Sequence, residues 1–195
     1  MKFRLGPIPN SLSDTELASG AWTPLWQPPF WAFQLIALLA GALGASVVLC
    51  VWVVFGPSFP PELSGDWYLG AICAAVLVGG MALQLIAHPG YGLTAQSALG
   101  LWPSRLTLYT YFDGAVSKAR LLLSLLLPAA VLVVLPLGAS LLHTRFSGWL
   151  AFFAGVGAFA FGLWPMMAVY AAIQVPAQAQ VAARGLQLFW RRPIN

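Results

Sequence analysis

Two histidines, two cysteines and one isolated aspartate are the side chains of this 195-residue chain best suited to chemistry. His88 and His143 close two different apolar runs, at opposite faces of a bilayer by the topology derived below. About 30 Å of hydrocarbon then separates them. One metal ion cannot take both, because a zinc–nitrogen bond is only about 2 Å long. Each imidazole by itself is the kind of group that ligates a haem or a chlorophyll-type pigment. The plainer reading is an interfacial histidine bonded to backbone or water. Cys50 and Cys73 fall in the outer halves of the first two runs, with no Cys-x-x-Cys spacing. They read as inert buried thiols. The alternatives are a disulfide between them, or a soft-metal site with His143 that lacks a fourth ligand.

Asp113 is the sole acidic residue between His88 and the C-terminus, and Asp113-Gly114 is a strong turn dipeptide. Ser104, Ser117 and Ser124 have no acid–histidine pair placed to activate them. No glycine loop with a lysine is present to cradle phosphate. The interiors of the apolar runs hold no ionisable residue of the kind that lines an ion path. Gln34 and Gln84 are the strongly polar residues well inside the first two runs, and are expected to bridge helices by hydrogen bonds.

The runs themselves dominate the chain. Apolar residues make up 60% of it and charged residues 7%, against about 25% charged in an ordinary soluble domain. Disorder and a disulfide scaffold are both excluded by this composition. The pattern is that of an all-α membrane protein with four transmembrane helices at about 30–55, 67–88, 119–142 and 146–173, each long enough to span. A segment 1–29 precedes them and a tail 174–195 follows. Twenty-nine residues precede the first run and no cleavage site follows it, so it is no signal peptide. Lys2, Arg4, Arg105, Lys118, Arg120, Arg184, Arg191 and Arg192 fall on one side of four spans. Arg145 faces Glu62 and Asp66 on the other. The positive-inside rule puts both termini in the cytoplasm, of a bacterial inner membrane. The basic residues flank apolar runs and so read as membrane anchors, with no nucleic-acid partner. Trp22, Trp26, Trp31, Trp52, Trp67 and Trp149 read as interfacial aromatics.

Pro128 and Pro136 in the third span and Pro165 in the fourth each remove an amide donor, and kinks are expected there. Ala154, Ala158 and Gly162 recur every four residues, a spacing that lets a neighbouring helix approach. Outside the spans, Met1–Leu5, Leu106–Phe112 and Gly185–Trp190 carry strand-like patterns. They are expected to form one small cytoplasmic sheet.

The order of these features resembles the zincin peptidase family of small bacterial membrane proteins. The likeness runs from about Trp67 to Pro193. It rests on Ser117-Lys118-Ala119-Arg120 entering an apolar helix with Leu127-Pro128, on Val175-Pro176, and on the terminal Gly185–Trp190 strand. The family's H-E-x-x-H falls on His88-Pro89-Gly90-Tyr91-Gly92. The first histidine is kept, the glutamate position is Pro89 and the second histidine position is Gly92. The family's glycine–aspartate pair falls near Gly162-Leu163-Trp164-Pro165, without a carboxylate. In that motif the two histidines share one helix face and the glutamate activates a metal-bound water. The resemblance therefore implies the fold with its metal motif degenerate at His88, Pro89 and Gly92, no bound zinc and no peptidase chemistry.

These readings lead to a non-catalytic structural or accessory subunit of a larger membrane complex, photosynthetic or respiratory. Its partners would be lipids and other integral membrane subunits, with pigment or haem contact at His88 or His143 the one cofactor role open to it. A small transporter or lipid-binding protein is the first alternative, and a residual metallopeptidase using His88 and Asp113 the second.

Overall fold

The computed structural model describes residues 1–57, 66–105, 107–142 and 146–192. In chain order the elements are β1 (Lys2–Leu5), α1 (Asp14–Ala18), β2 (Thr23–Pro24), α2 (Phe30–Phe55), α3 (Asp66–Ala87), β3 (Ser97–Trp102), β4 (Thr107–Phe112) and β5 (Val116–Ser117). They continue with α4 (Lys118–Ala129), a π turn (Ala130–Val134), α5 (Leu135–Ser140), α6 (Ser147–Phe161), α7 (Leu163–Gln174), β6 (Gln180–Arg184) and β7 (Gln187–Arg191). Among the described residues three helical stretches are long and apolar enough to cross a membrane: Phe30–Phe55, Tyr68–Ala87 and Lys118–Ser140. The fourth expected span is two helices, α6 and α7, bent by 49° at Gly162. Pro165 in the first turn of α7 has no N–H for the Phe161 carbonyl, which explains a break at this point. In the third span the π turn lies between Pro128 and Pro136. Both prolines withhold an i→i−4 bond, and the widened turn accommodates the gap.

The chain divides into two compact units. One comprises 30–80 and 126–167 and is helical. Its centre is the contact of α2 with α6, where Val48, Ala154 and Ala158 are buried together. Bare glycine backbone makes this approach possible. A Cβ on Gly44 would lie 3.2 Å from the Ala158 carbonyl oxygen, and one on Gly162 would lie 2.7 Å from that of Ala40. The Ala154-Ala158-Gly162 stripe is thus a helix-packing face.

The other unit comprises 1–29, 81–125 and 168–195 and holds all seven strands among the described residues. One sheet has the order β1-β3-β4, with β1 parallel to β3 and β4 antiparallel to it. The second has the order β2-β7-β6-β5. The single sheet expected from Met1–Leu5, Leu106–Phe112 and Gly185–Trp190 is therefore corrected. The first two segments flank β3, and the third belongs to the other sheet. Trp22 is corrected as well. It is 7% exposed, packs with Leu12, Ala182 and Phe189, and lies under the Arg191 guanidinium at 4.6 Å. It belongs to the sheet core, while Trp26 and Trp31 are exposed.

Candidate functional site

The helix α3 stops at Ala87 because the next residues forbid its continuation. Pro89 has no N–H for the Leu85 carbonyl, and a residue before proline avoids the helical region. His88 is extended at φ −69°, ψ 157°, and its N–H bonds the Leu85 carbonyl at 2.9 Å. Gly90 and Tyr91 then take left-handed backbone, with φ of 64° and 55°. Tyr91 is the one non-glycine residue with positive φ among the described residues. Such a conformation costs a bulky residue about 1–2 kcal/mol. Gly92 has φ +74°, and a Cβ there would lie 2.6 Å from the Leu85 carbonyl oxygen and 2.9 Å from the Leu85 Cβ. Residues 88 and 92 therefore share no helix face, and position 92 has no room for a side chain.

His88 packs its ring on Phe112 of β4 at 5.9 Å between centroids, and its Nδ1 is buried with no hydrogen-bond partner. Burial lowers its pKa to about 4, so the imidazole is neutral at pH 7. That is the ligating form, but the sealed Nδ1 is not presented to a ligand. One turn earlier on α3 lies Gln84, 3% exposed. Its Oε1 accepts from the Thr110 hydroxyl at 3.0 Å, while its Nε2 is buried without a partner. The expected helix–helix bridge is thus a helix–strand bridge. Gln34 is exposed on α2. Sequence reasoning missed the meeting of Gln84 and His88 with Thr110 and Phe112, since only the pairing of β4 brings them together.

Asp113 serves the turn after β4. Its N–H bonds the Gln96 carbonyl at 2.8 Å, and its Oδ1 accepts from the Tyr111 hydroxyl at 3.4 Å. Burial, and secondarily this carboxylate, raise the Tyr111 pKa. Ser124 donates to the Leu121 carbonyl at 2.8 Å, and Ser117 accepts from the Arg120 N–H at 3.4 Å. Ser124 thus bonds within α4, and Ser117, the last residue of β5, accepts from the first turn of that helix. Among the described residues no three His, Cys, Asp or Glu side chains gather to hold a metal ion. His143 lies outside the described residues. Cys50 and Cys73 are free thiols, and both are exposed rather than buried. Cys50 stands on the exposed surface of α2, and Cys73 on α3 lines the groove described next.

The helical unit contains a groove of about 510 Å³ between α2 and α6, lined by Leu49, Trp52, Cys73, Ala151, Phe152 and Gly155 among others. Its size falls within the usual range for a small-molecule site, about 300–1,000 Å³. Its lining is almost wholly apolar. The Trp52 indole N–H is buried with no acceptor. Near the same helix ends the rings of Tyr68 and Trp149 meet at 5.0 Å between centroids, tilted by 51°. Comparison of the chain with protein-family models, with curated proteins and with solved structures gives no match.

Proposed function

We propose that the chain is a non-catalytic integral membrane protein on a zincin-peptidase-like plan, acting as a structural or accessory subunit of a larger membrane complex, photosynthetic or respiratory. The observation that carries the non-catalytic reading is the turn at 88–92. Its positions 88 and 92 diverge from a common helix face, and Gly92 is packed against the Leu85 carbonyl. The accessory role is supported by α2, which buries only Gly41 and Val48 along its 26 residues. Such a helix offers most of its surface to lipid or to partner helices. Four spans with both termini in the cytoplasm of a bacterial inner membrane remain our reading of the topology. It is supported by the distribution of charge: eight of the nine basic residues fall in the unit that also contains both termini.

Purification without a metal-binding tag, in mild detergent, tests both halves. The expected outcome is co-purification of defined membrane subunits and no stoichiometric zinc. A stable isolated monomer would overturn the accessory reading. One zinc per chain, lost in His88→Ala, would restore the metallopeptidase. The apolar groove favours a second reading, a lipid-binding membrane protein. A bound lipid that survives delipidation, and is lost when Gly155→Phe fills the groove, would support it.

A further inference from the structure

We propose that the sheet β1-β3-β4 is an amphipathic platform whose Phe3–Leu5 face lies in the headgroup–acyl boundary of an anionic membrane, beside the point where α3 leaves the hydrocarbon. The inference rests on the membrane reading above and adds a lipid contact outside the spans.

Strand register defines the two faces. Phe3 pairs with Leu99 and Leu99 with Thr110; Leu5 pairs with Leu101 and Leu101 with Leu108. Opposed residues in a ladder share a face, so these side chains form one surface. Lys2, Arg4, Ala98, Tyr109 and Tyr111 lie on the other. That second surface is packed over β3 and β4: Ala98, Tyr109 and Tyr111 are buried, with Ile8 and Trp102 against them. The Tyr109 hydroxyl donates to the Gly6 carbonyl at 3.3 Å. The first surface is apolar and open, with Phe3 64%, Leu5 72% and Leu108 41% exposed. A sheet in water places polar residues on its open face. This one does the reverse, as a surface does that meets an apolar phase.

Continuity with a span identifies that phase. Thr110 and Phe112 lie on this same open face, and they meet Gln84 and His88 at the end of α3. The face that receives the end of a membrane-crossing helix continues as the row of exposed leucines and phenylalanine. The surface around such an exit point is the bilayer interface. Tyr91 and Leu93, 75% and 78% exposed directly after the helix, belong to the same zone. Charge selects an anionic surface. This unit holds eight basic residues against Asp14, Glu16 and Asp113. Lys2 and Arg4, on the reverse side of the edge strand, stay in water. They lie within about a Debye length of the headgroups, roughly 8–10 Å. Each basic residue near an anionic surface adds about 1 kcal/mol.

The test uses the full chain with Cys50→Ala and Cys73→Ala, carrying one fluorophore at Phe3→Cys, Arg4→Cys or Leu39→Cys. The chain is reconstituted in vesicles of phosphatidylcholine with phosphatidylglycerol. The label at 3 is expected to be quenched severalfold more by a shallow doxyl lipid than by aqueous iodide, and the label at 4 the reverse. The label at 39, on the exposed face of α2, is expected to respond to a deep doxyl lipid. Omitting phosphatidylglycerol should reduce lipid quenching at 3 severalfold. Iodide access at 3 equal to that at 4 would overturn the proposal. So would shielding of 3 from both quenchers, the result if a protein surface covers the sheet, or lipid quenching indifferent to phosphatidylglycerol. Loss of lipid quenching at 39 would overturn the membrane reading itself, and with it the platform.

Discussion

The carbonyl of Leu132 lies against the bare Cα of Gly157, so closely that a Cβ at 157 would stand 2.6 Å from the oxygen. The contact has a cause on each side. Pro136, four residues after Leu132, has no N–H to offer that carbonyl, and the π turn Ala130–Val134 contains it. Gly157 is buried on α6 and removes the one atom that would block the approach. A Cα–H facing a carbonyl is a weak but favourable contact, worth about 0.5–1 kcal/mol. The proline and the glycine thus form one packing device.

Gly157→Ala is expected to destabilise the helical unit by about 1–3 kcal/mol, the usual result of forcing an extra carbon into a packed contact. Gly155→Ala is the control. No atom lies within 4 Å of a Cβ there, and alanine favours a helix over glycine by about 1 kcal/mol. Thermal unfolding in detergent, followed by circular dichroism, should rank Gly155→Ala at or above the unmodified chain and Gly157→Ala below it. Equal midpoints for the two variants would remove this packing account.

Writing the metal motif back into the sequence should not create a metal site. Pro89→Glu with Gly92→His supplies the missing residue types. The imidazole at 92 would start from a Cβ 2.6 Å from the Leu85 oxygen, on backbone at φ +74°. We expect the double variant to bind zinc no better than the unmodified chain and to be less stable. Elemental analysis after dialysis decides it, since one tightly held zinc per chain would mean that the helix can extend through position 92.

The neutral His88 predicts a loss of stability in mild acid. Its pKa is lowered to about 4 by burial, from 6.5. Above pH 6.5 folded and unfolded chains both hold a neutral ring, and the group has no effect. Between 6.5 and about 4 only the unfolded chain takes up the proton, so stability falls with falling pH. The slope is at most about 1.4 kcal/mol per pH unit, lessened by the partial exposure of the ring. His88→Phe should flatten this window. Within its acid end, as the pH falls through 4.5, Glu16, whose pKa is lowered by its bonds to Ser13, begins to contribute in the same direction. Denaturant titrations at several pH values would refute the assignment if the unmodified chain and His88→Phe kept the same slope.

The sequence was most readable where one element sufficed to explain the pattern. The first apolar run has the bounds of α2, because nothing but hydropathy and length decides a helix in hydrocarbon. His88 was readable as a helix end from Pro89 and Gly90 alone. The strand β3, Ser97-Ala98-Leu99-Gly100-Leu101-Trp102, was not. It has no β-branched residue and carries a glycine, which Tyr109 requires because its ring fills the place of a Cβ. The strand β6 escaped for a like reason, two alanines between Val181 and Arg184. Both exist through pairing with distant segments, and pairing leaves no local signature. The same holds for the site: Gln84 and Thr110 are 26 residues apart, and their bond follows from the position of β4 on α3.

Lys118 offers the last test. Its ammonium donates to the carbonyls of Ala172 and Val175, at 2.7 and 2.6 Å, at the C-terminal end of α7. The final carbonyls of a helix lack intrahelical partners and carry its negative dipole end, so a cation there is doubly favourable. The backbone N–H of Lys118 also bonds the Ala179 carbonyl at 3.1 Å, which ties the start of α4 to the same turn. Val175 is almost wholly buried, so the bond to its carbonyl is partly shielded, while the bond to Ala172 is exposed. Lys118→Met keeps the aliphatic stem and removes the charge. It should destabilise the sheet unit by about 1–2 kcal/mol, with faster hydrogen exchange at the amides of Val175 and Ala179. Lys118→Arg should recover part of the loss, because a guanidinium keeps the charge without matching the two-carbonyl geometry. If Lys118→Met left exchange at those two amides unchanged, the cap would be an incidental contact and α7 would end where it does for other reasons.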